Sequence, residues 1–484
     1  MKNKSTGFSL RLILSLTSGI LFIFAFPPFN LWQIAFFSLI PLLIASREKD
    51  SKNFLIGLIG GFTFYSISFF WLYKLAGPVY LFLALYLSIY WGLFLYLIFV
   101  LPATGRIFTA GALWFFLEII ISYLLTGFPW LLAGLSQWNN SYLIKLAGIF
   151  GIYGLSFIVI SGNFTIFYSF QKRHFVSWSI SVIIFVTLFF SHFPQSLSTK
   201  NKGETLKVMV VQPNIDSFHR NPEKDIEKAK TMTIEYLKKE KVDVIVWPEG
   251  IYPDIIIQNI DIINDLKKIT KKYNVGIILG TFTGNDKEIF NSALLIEGEN
   301  IQIYNKTHLV PYGEFIPGGR MKVITRIFEK MAGYIPYIKQ GSELVPLSFR
   351  DRKIGVLICF ENIFPYITAT LTENEAELFV VITNDGWSKI STGPYQHFIH
   401  NPIRAVETGR YFIQSSLTGI SGIISKNGSV ENILSRSGSY LFIDGVIIQN
   451  IPVVQGKTLY SSFRDIPLFV LSVLITGLSI CRKK

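Results

Sequence analysis

Seven apolar stretches follow one another through the first 193 residues, and an eighth lies near the end of the chain. They fall near residues 9–27, 30–46, 53–75, 79–101, 108–132, 143–170, 174–193 and 464–481. Crossing the ~30 Å hydrocarbon core takes about 20 helical residues, and hydrocarbon offers the backbone no hydrogen-bond partner, so each such stretch is expected to be a helix. The chain is 50% hydrophobic and 16% charged, against the roughly 25% charge of an ordinary soluble domain. That excess is confined to the eight stretches. A multi-span helical membrane domain over 1–193, an eighth span at 464–481 and a soluble domain over 204–455 are therefore expected. No small-residue cleavage site follows the first apolar run, so it reads as a span rather than a removed signal.

The charged connections give these spans a direction. With the N-terminus inside, Lys2, Lys4, Arg47, Lys49, Lys52, Arg106, Lys172, Arg173, Arg482, Lys483 and Lys484 all fall inside. Only Lys74 and Lys145 fall outside among the short loops. Basic residues gather on the cytoplasmic side of short loops, so the soluble domain is expected outside a bacterial cytoplasmic (inner) membrane, on the periplasmic side. The net charge of +13 is explained in the same way. It forms no basic stripe interleaved with aromatics, and no nucleic-acid partner is expected.

The soluble region begins after the polar linker Ser196–Glu204. Short β-branched runs mark strands at 207–211, 242–246, 276–280, 293–296, 354–358 and 378–382. Amphipathic stretches at 223–239, 256–272 and 395–407 mark helices. Glu297-Gly298-Glu299-Asn300 and Lys426-Asn427-Gly428 read as hairpin turns. Strands alternating with helices, plus hairpins, indicate a layered α/β domain. Ligands of such sheets bind beyond the carboxyl ends of strands. Polar or acidic groups stand at three of them: Pro248-Glu249, Cys359-Phe360-Glu361 and Asn384-Asp385.

The chain has two cysteines. Cys481 ends the last apolar stretch, and Cys359 ends a strand before a helical stretch expected from about Asn362. A thiol at a strand-to-helix turn faces the positive end of a helix, which favours the nucleophilic thiolate; a buried cysteine also serves as a small hydrophobe. Glu249 follows Trp247-Pro248 and becomes a base near neutral pH if desolvated. Lys306, if close to the thiol, stabilises an oxyanion. Taken singly, Glu249 and Lys306 are better explained as an exposed loop glutamate and a surface lysine, and Cys359 is as well explained as a buried hydrophobe. His397 and His400 share a helix face, but no third ligand and no His-Glu-x-x-His accompanies them, so no metal is expected. There is no Gly-x-Ser-x-Gly elbow.

Read in order, the motifs are more specific. They are Val211-Gln212-x-Asn214, Trp247-Pro248-Glu249, Tyr304-Asn305-Lys306-x-His308-Leu309-Val310-Pro311, Gly313-Glu314-Phe315-x-Pro317, Ile358-Cys359-x-Glu361, Asn384-Asp385-x-Trp387, Gln396-His397 and Arg404-Ala405-x-Glu407. The set resembles the nitrilase (carbon-nitrogen hydrolase) superfamily. Attached to seven spans plus one, it resembles the apolipoprotein N-acyltransferases over essentially the whole chain. The resemblance implies an αββα sandwich, nitrilase-like, for the extracytoplasmic domain. It implies Glu249 as general base, Lys306 as oxyanion stabiliser and Cys359 as nucleophile, with Glu314, Glu361 and Asn291 in support and no cofactor. It also implies transfer of an acyl chain from a membrane phospholipid, phosphatidylethanolamine through its sn-1 ester, by way of a cysteine thioester. The acceptor would be the amino group of the diacylglyceryl-cysteine of an apolipoprotein.

Four residues at three places depart from the family's usual pattern: Phe360 for Tyr, Leu417 for Asn, and Arg220-Asn221 for Lys-Trp. They touch the expected substrate contacts rather than the triad. Two other readings share these residues, a tethered amidase that releases its acyl group to water and a receptor with an inactive domain of this type.

Overall fold

The computed structural model describes residues 7–103, 105–170, 199–285, 287–318 and 337–481. The expected seventh span, 174–193, lies outside the described residues, as do Lys2, Lys4, Lys172, Arg173 and the last three basic residues. The chain divides into two compact units. One comprises Met1–Gln195, Ser391–Ile403 and Phe463–Lys484, and the other Ser196–Ile390 with Arg404–Ser462.

The first unit is helical. Three stretches, Phe70–Val100, Arg106–Thr126 and Ile144–Ser169, are long and apolar enough to cross a membrane, and Phe8–Ile23, Trp32–Ala45 and Ile466–Cys481 are shorter apolar stretches. Glycines let the backbones touch. A Cβ on Gly57 would lie 2.4 Å from the Trp91 carbonyl, so the helices Lys52–Ser68 and Tyr80–Val100 meet through small residues. Large apolar side chains remain exposed along Phe8–Ile23 (Phe8, Leu10, Ile13, Leu16, Ile20) and along Ile466–Cys481 (Val470, Leu471, Leu474, Leu478). Water tolerates apolar bands of that length poorly, whereas lipid accepts them.

Several expected spans are interrupted among the described residues, and two of them show a local reason. Residues 30–46 form the 3-10 turn Trp32–Phe36 and the short helix Ile40–Ala45. The buried Asn163 side chain accepts from the Leu39 N–H (2.9 Å) and donates to the Ala35 carbonyl (2.8 Å), replacing the helical bonds lost there. Residues 108–132 are helical only to Tyr123. The chain then folds back, the Phe128 N–H meeting the Ile121 carbonyl and the Ala133 N–H meeting Glu118 Oε1 at 2.8 Å.

The second unit is built on two sheets. The strands of the first are β1 (Lys200–Gln212), β2 (Val244–Val246), β3 (Tyr252–Ile255), β4 (Gly276–Asn285), β5 (Glu288–Glu297), β6 (Asn300–Asn305) and the late β13 (Gly445–Gln455). Their order is β13-β1-β2-β4-β5-β6, with β3 beside β4. The second sheet runs β12-β11-β10-β9-β8-β7. It uses β7 (Leu347–Phe349), β8 (Arg352–Ile358), β9 (Leu378–Thr383), β10 (Phe412–Ser416), β11 (Gly422–Ile424) and β12 (Val430–Ile433). The central strands β1-β2-β4 and β8-β9-β10 are parallel.

Val208, Val210, Val246, Ile278 and Leu295 of the first sheet share a buried core with Ile354, Val356, Ile358, Val380 and Ile413 of the second. The other face of the first sheet packs on the helices Pro222–Leu237 and Ile260–Tyr273 through Ile226, Ala229, Ile263 and Leu266. The helix Pro365–Glu373 follows β8 and contributes the buried Ile367 and Leu371. Helix, sheet, sheet, helix is the αββα layering expected from the sequence. The single helix expected over 395–407 is two, Gly393–Phe398 and His400–Thr408. Pro402 is the cause, since it has no N–H and its ring clashes with the carbonyl four residues back, at Phe398.

Candidate active site

Strand ends on one edge of this sandwich carry the candidate residues. β2 and β4 are parallel, β5 and β6 double back in turn, so β2 and β6 end on the edge where β5 begins. Glu249 follows β2. Its backbone lies so close to β4 that a Cβ on Gly280 would come within 2.4 Å of the Glu249 Cα. Trp247 is fully buried beneath it and donates from Nε1 to the Thr233 hydroxyl at 2.9 Å. Lys306 follows β6, its N–H donating to the Asn291 carbonyl on β5 and its own carbonyl receiving the Gly341 N–H, both at 2.8 Å. Cys359 follows β8 with φ +52°, in the left-handed region, and begins the 3-10 turn Cys359–Ile363.

The side chains of Glu249, Lys306, Asn291 and Glu314 meet in one network. Asn291 Nδ2 donates to Glu249 Oε1 (2.8 Å) and to Glu314 Oε1 (2.7 Å). The Lys306 ammonium donates to Glu314 Oε1 at 2.9 Å and lies 3.7 Å from Glu249 Oε1. Glu249 Oε2 accepts the Asn384 N–H (2.9 Å), and Glu314 Oε2 accepts the Val310 N–H (2.7 Å). The Cys359 thiol is hydrogen-bonded to Glu249 and to Thr383. Lys306 is 1% exposed and Cys359 6%.

Burial sets the protonation states. It pushes the Glu249 carboxyl up, against the pull of Lys306 and with the help of Glu314. Burial and Glu249 push the thiol well up, against Lys306. Burial works against the Lys306 ammonium, but Glu314 and Glu249 outweigh it and raise its pKa. The resting thiol is therefore protonated. The sequence argument for a thiolate gave the helix end too much weight: a five-residue 3-10 turn follows Cys359 rather than a full helix, and burial among carboxylates dominates.

Glu361 stands apart from that network and does different work. Its Oε1 accepts from Tyr304 Oη (2.8 Å), the Thr307 N–H (2.7 Å) and the Thr307 hydroxyl (2.8 Å), and its Oε2 from the Ile358 N–H (2.8 Å). One buried carboxylate thus ties the turn after β6, which carries Lys306, to the turn after β8, which carries Cys359. Thr383 and the Asn384 N–H were not singled out from the sequence as contacts of Cys359 and Glu249. The signal was the position of Asn384-Asp385 at a strand end.

The departures from the family pattern have structural places. Phe360 packs edge-on against Phe364, with ring centroids 5.2 Å apart. Leu417 is fully buried and its N–H meets the Thr383 carbonyl. Asn221 caps the helix Pro222–Leu237, and Arg220 donates to the Gly250 carbonyl at 2.6 Å, beside Glu249. In the helical unit His397 stacks on Trp130 at 5.5 Å and 18°. Arg404 and Glu407 form a fully buried ion pair at 3.0 Å.

Comparison with known proteins covers both units. Residues 207–459 match the family profile of the carbon-nitrogen hydrolases, and residues 18–165 that of the apolipoprotein N-acyltransferase N-terminal domain. The apolipoprotein N-acyltransferase of Geobacter metallireducens is 27% identical, over 94% of this chain and 92% of its own. Apolipoprotein N-acyltransferase 1 of Treponema denticola is 28% identical, over 99% and 97%. The apolipoprotein N-acyltransferase of Rickettsia typhi is 32% identical, over 75% and 74%. With a carbon-nitrogen hydrolase profile filling more than half its length and an apolar helical unit matched to its own profile, the chain belongs to the apolipoprotein N-acyltransferase family.

Proposed function

We propose that this chain transfers an acyl group from a membrane phospholipid to the N-terminal amine of a diacylglyceryl-cysteine lipoprotein, through a thioester on Cys359. The observation that carries the proposal is the contact of one carboxylate, Glu249, with both the Cys359 thiol and, at 3.7 Å, the Lys306 ammonium. The family and the apolar helices make it a membrane-associated acyltransferase.

In the first half-reaction the sulfur forms a bond to the ester carbonyl carbon while its proton passes to Glu249. Both groups have raised pKa values, so proton transfer accompanies attack instead of preceding it. Lys306 stabilises the oxyanion, and Glu314 and Asn291 hold Lys306 and Glu249 in place. The C–O bond then breaks, and the lysophospholipid leaves with the proton from Glu249. In the second half-reaction the lipoprotein amine attacks the thioester. Its proton goes to Glu249 and from there to the departing sulfur, and an amide remains.

The donor in this scheme is phosphatidylethanolamine, cleaved at its sn-1 ester. Moving an acyl chain into water costs about 0.8 kcal/mol per CH₂, which favours a site served by a bilayer. The basic connections favour the topology read from the sequence, with multiple passes through the inner membrane and the catalytic domain, 204–455, on the periplasmic side.

The test is to incubate the membrane-reconstituted protein with phosphatidylethanolamine radiolabelled in its sn-1 chain, and then add a diacylated lipopeptide. A hydroxylamine-sensitive label on Cys359 that moves to the peptide amine is expected. Label that never reaches Cys359, or that is released as free fatty acid instead of moving to the peptide, overturns the proposal.

A further inference from the structure

The reaction above assigns no task to the last turn of β9. Its final residue, Thr383, is fully buried, and its hydroxyl touches the nucleophile. β9 lies beside β8 in parallel register, Ile382 opposite Ile358, so Thr383 and Cys359 leave the sheet together. The same three residues serve the site three ways. The Thr383 hydroxyl partners the Cys359 sulfur, the Asn384 N–H holds Glu249 Oε2 at 2.9 Å, and Asp385 Oδ1 accepts from the Thr383 hydroxyl at 3.2 Å. An Asp385 carboxylate oxygen lies within 4.8 Å of the Cys359 sulfur. The turn is also tied to the chain after β10, the Thr383 carbonyl receiving the Leu417 N–H at 2.9 Å.

We propose that Thr383 is a positioning residue of the transfer reaction, its hydroxyl donating to the Cys359 sulfur whenever that sulfur carries negative charge. The argument is one of a single proton with two acceptors. The thiol proton is directed at Glu249, so the Thr383 hydroxyl meets the sulfur at a lone pair. While sulfur is neutral, the Asp385 carboxylate is the stronger acceptor and keeps the hydroxyl proton. As Glu249 takes the thiol proton during attack, negative charge develops on the buried sulfur, and a rotation about Cβ–Oγ turns the hydroxyl to it. No bond to hydrogen breaks in that step. Charge-assisted hydrogen bonds are about twice as strong as neutral ones, so the rotation favours the ionised sulfur. The same hydroxyl serves as the thioester is cleaved, when charge develops on the departing sulfur until Glu249 hands it a proton.

The groups facing this sulfur within the catalytic unit are Glu249, Lys306 and Asp385. Only Lys306 is cationic among them, and a neutral donor such as the Thr383 hydroxyl eases the charge without adding a second cation between carboxylates.

The inference rests on Cys359 acting as a nucleophile, but its test does not need a phospholipid. In a Cys481→Ser background, the second-order rate of Cys359 alkylation by iodoacetamide is measured at fixed pH for Thr383→Val and Thr383→Ser. Valine keeps the shape and loses the hydroxyl; serine loses the methyl and keeps the hydroxyl. Thr383→Val is expected to react about tenfold more slowly, equivalent to a rise of about one unit in thiol pKa, and Thr383→Ser to stay within about twofold of the parent. Thr383→Ala, which also lacks the hydroxyl, replaces valine if valine does not fold. An unchanged rate without the hydroxyl, or an equal loss in Thr383→Ser, assigns the position to packing and overturns the inference. Failure of the phospholipid-trapping experiment would leave this result standing.

Discussion

Glu249 shares one side chain among four partners: the Cys359 thiol, the Lys306 ammonium, the Asn291 amide and the Asn384 N–H. Its raised pKa is a balance between burial, which favours the neutral acid, and Lys306, which favours the carboxylate. A base works only when deprotonated, so acylation of Cys359 is expected to fall as pH drops through a Glu249 pKa lying above the ordinary carboxylate range. Replacing Lys306 by Met removes the favourable charge. The acid limb should then move to higher pH, and the rate near neutrality should drop at least tenfold, because the oxyanion also loses its donor. The pH profile of thioester formation reads both effects; an acid limb that stays put or moves down would show that Lys306 does not set the charge of Glu249. The residues of this network were legible in the sequence as types in an order. The direction of the thiol's pKa was not, because it depends on carboxylates brought from β2 and from the loop beyond β6 into one desolvated volume, and no local window contains them.

Among the elements, those with one strong periodicity were the most legible. The helices expected at 223–239 and 256–272 occur as Pro222–Leu237 and Ile260–Tyr273. The buried parallel strands β2, β4, β8 and β9 all fall on the expected β-branched runs. The edge strands did not announce themselves. β13 reads Gly445–Gln455 with Pro452 inside it, a pattern that departs from strand alternation, and it pairs with β1 more than 200 residues earlier. The broken helical spans failed to show for a related reason: composition marks an apolar length, but a distant side chain such as Asn163 decides where the helix stops.

Gln396 makes the same point within the helical unit and can be tested. Its Oε1 accepts from Trp71 Nε1 (2.9 Å) and Trp130 Nε1 (3.0 Å), and its Nε2 donates to the Ser68 carbonyl (3.0 Å). Gln396→Leu strips one partner from each of three buried polar groups, and an unsatisfied buried group costs about 1–3 kcal/mol. A loss of a few kcal/mol is expected, read as a lowered thermal midpoint in detergent; an unchanged midpoint would show that this glutamine carries no stability.

The whole molecule has a direction only if its charges do. In the helical unit the polar connections are tied together at the chain segments 45–53 and 101–106. Arg11 donates to Asp50 (2.7 Å), to Asn53 (3.0 Å) and to the Ala45 carbonyl (2.6 Å), while Arg106 donates twice to Glu48 (2.5 and 2.9 Å) and once to the Leu101 carbonyl (3.0 Å). Two guanidiniums that are 2% exposed are thus neutralised at the connections that the proposed topology has on the cytoplasmic side. Carrying such a cluster across a bilayer would cost several kcal/mol per charge, so the proposed orientation should be fixed once the chain is inserted. Single cysteines can read it. In a Cys359→Ala, Cys481→Ser background, Asn427→Cys lies on an exposed hairpin of the catalytic unit, and Ser51→Cys on an exposed connection of the helical unit. A membrane-impermeant maleimide added to intact spheroplasts is expected to label the cysteine at 427 directly and the one at 51 only after the membrane is opened. The reverse pattern would place the catalytic unit in the cytoplasm. Because labelling depends on neither fold stability nor activity, it decides the orientation even if the acyl donor proves to be a different lipid.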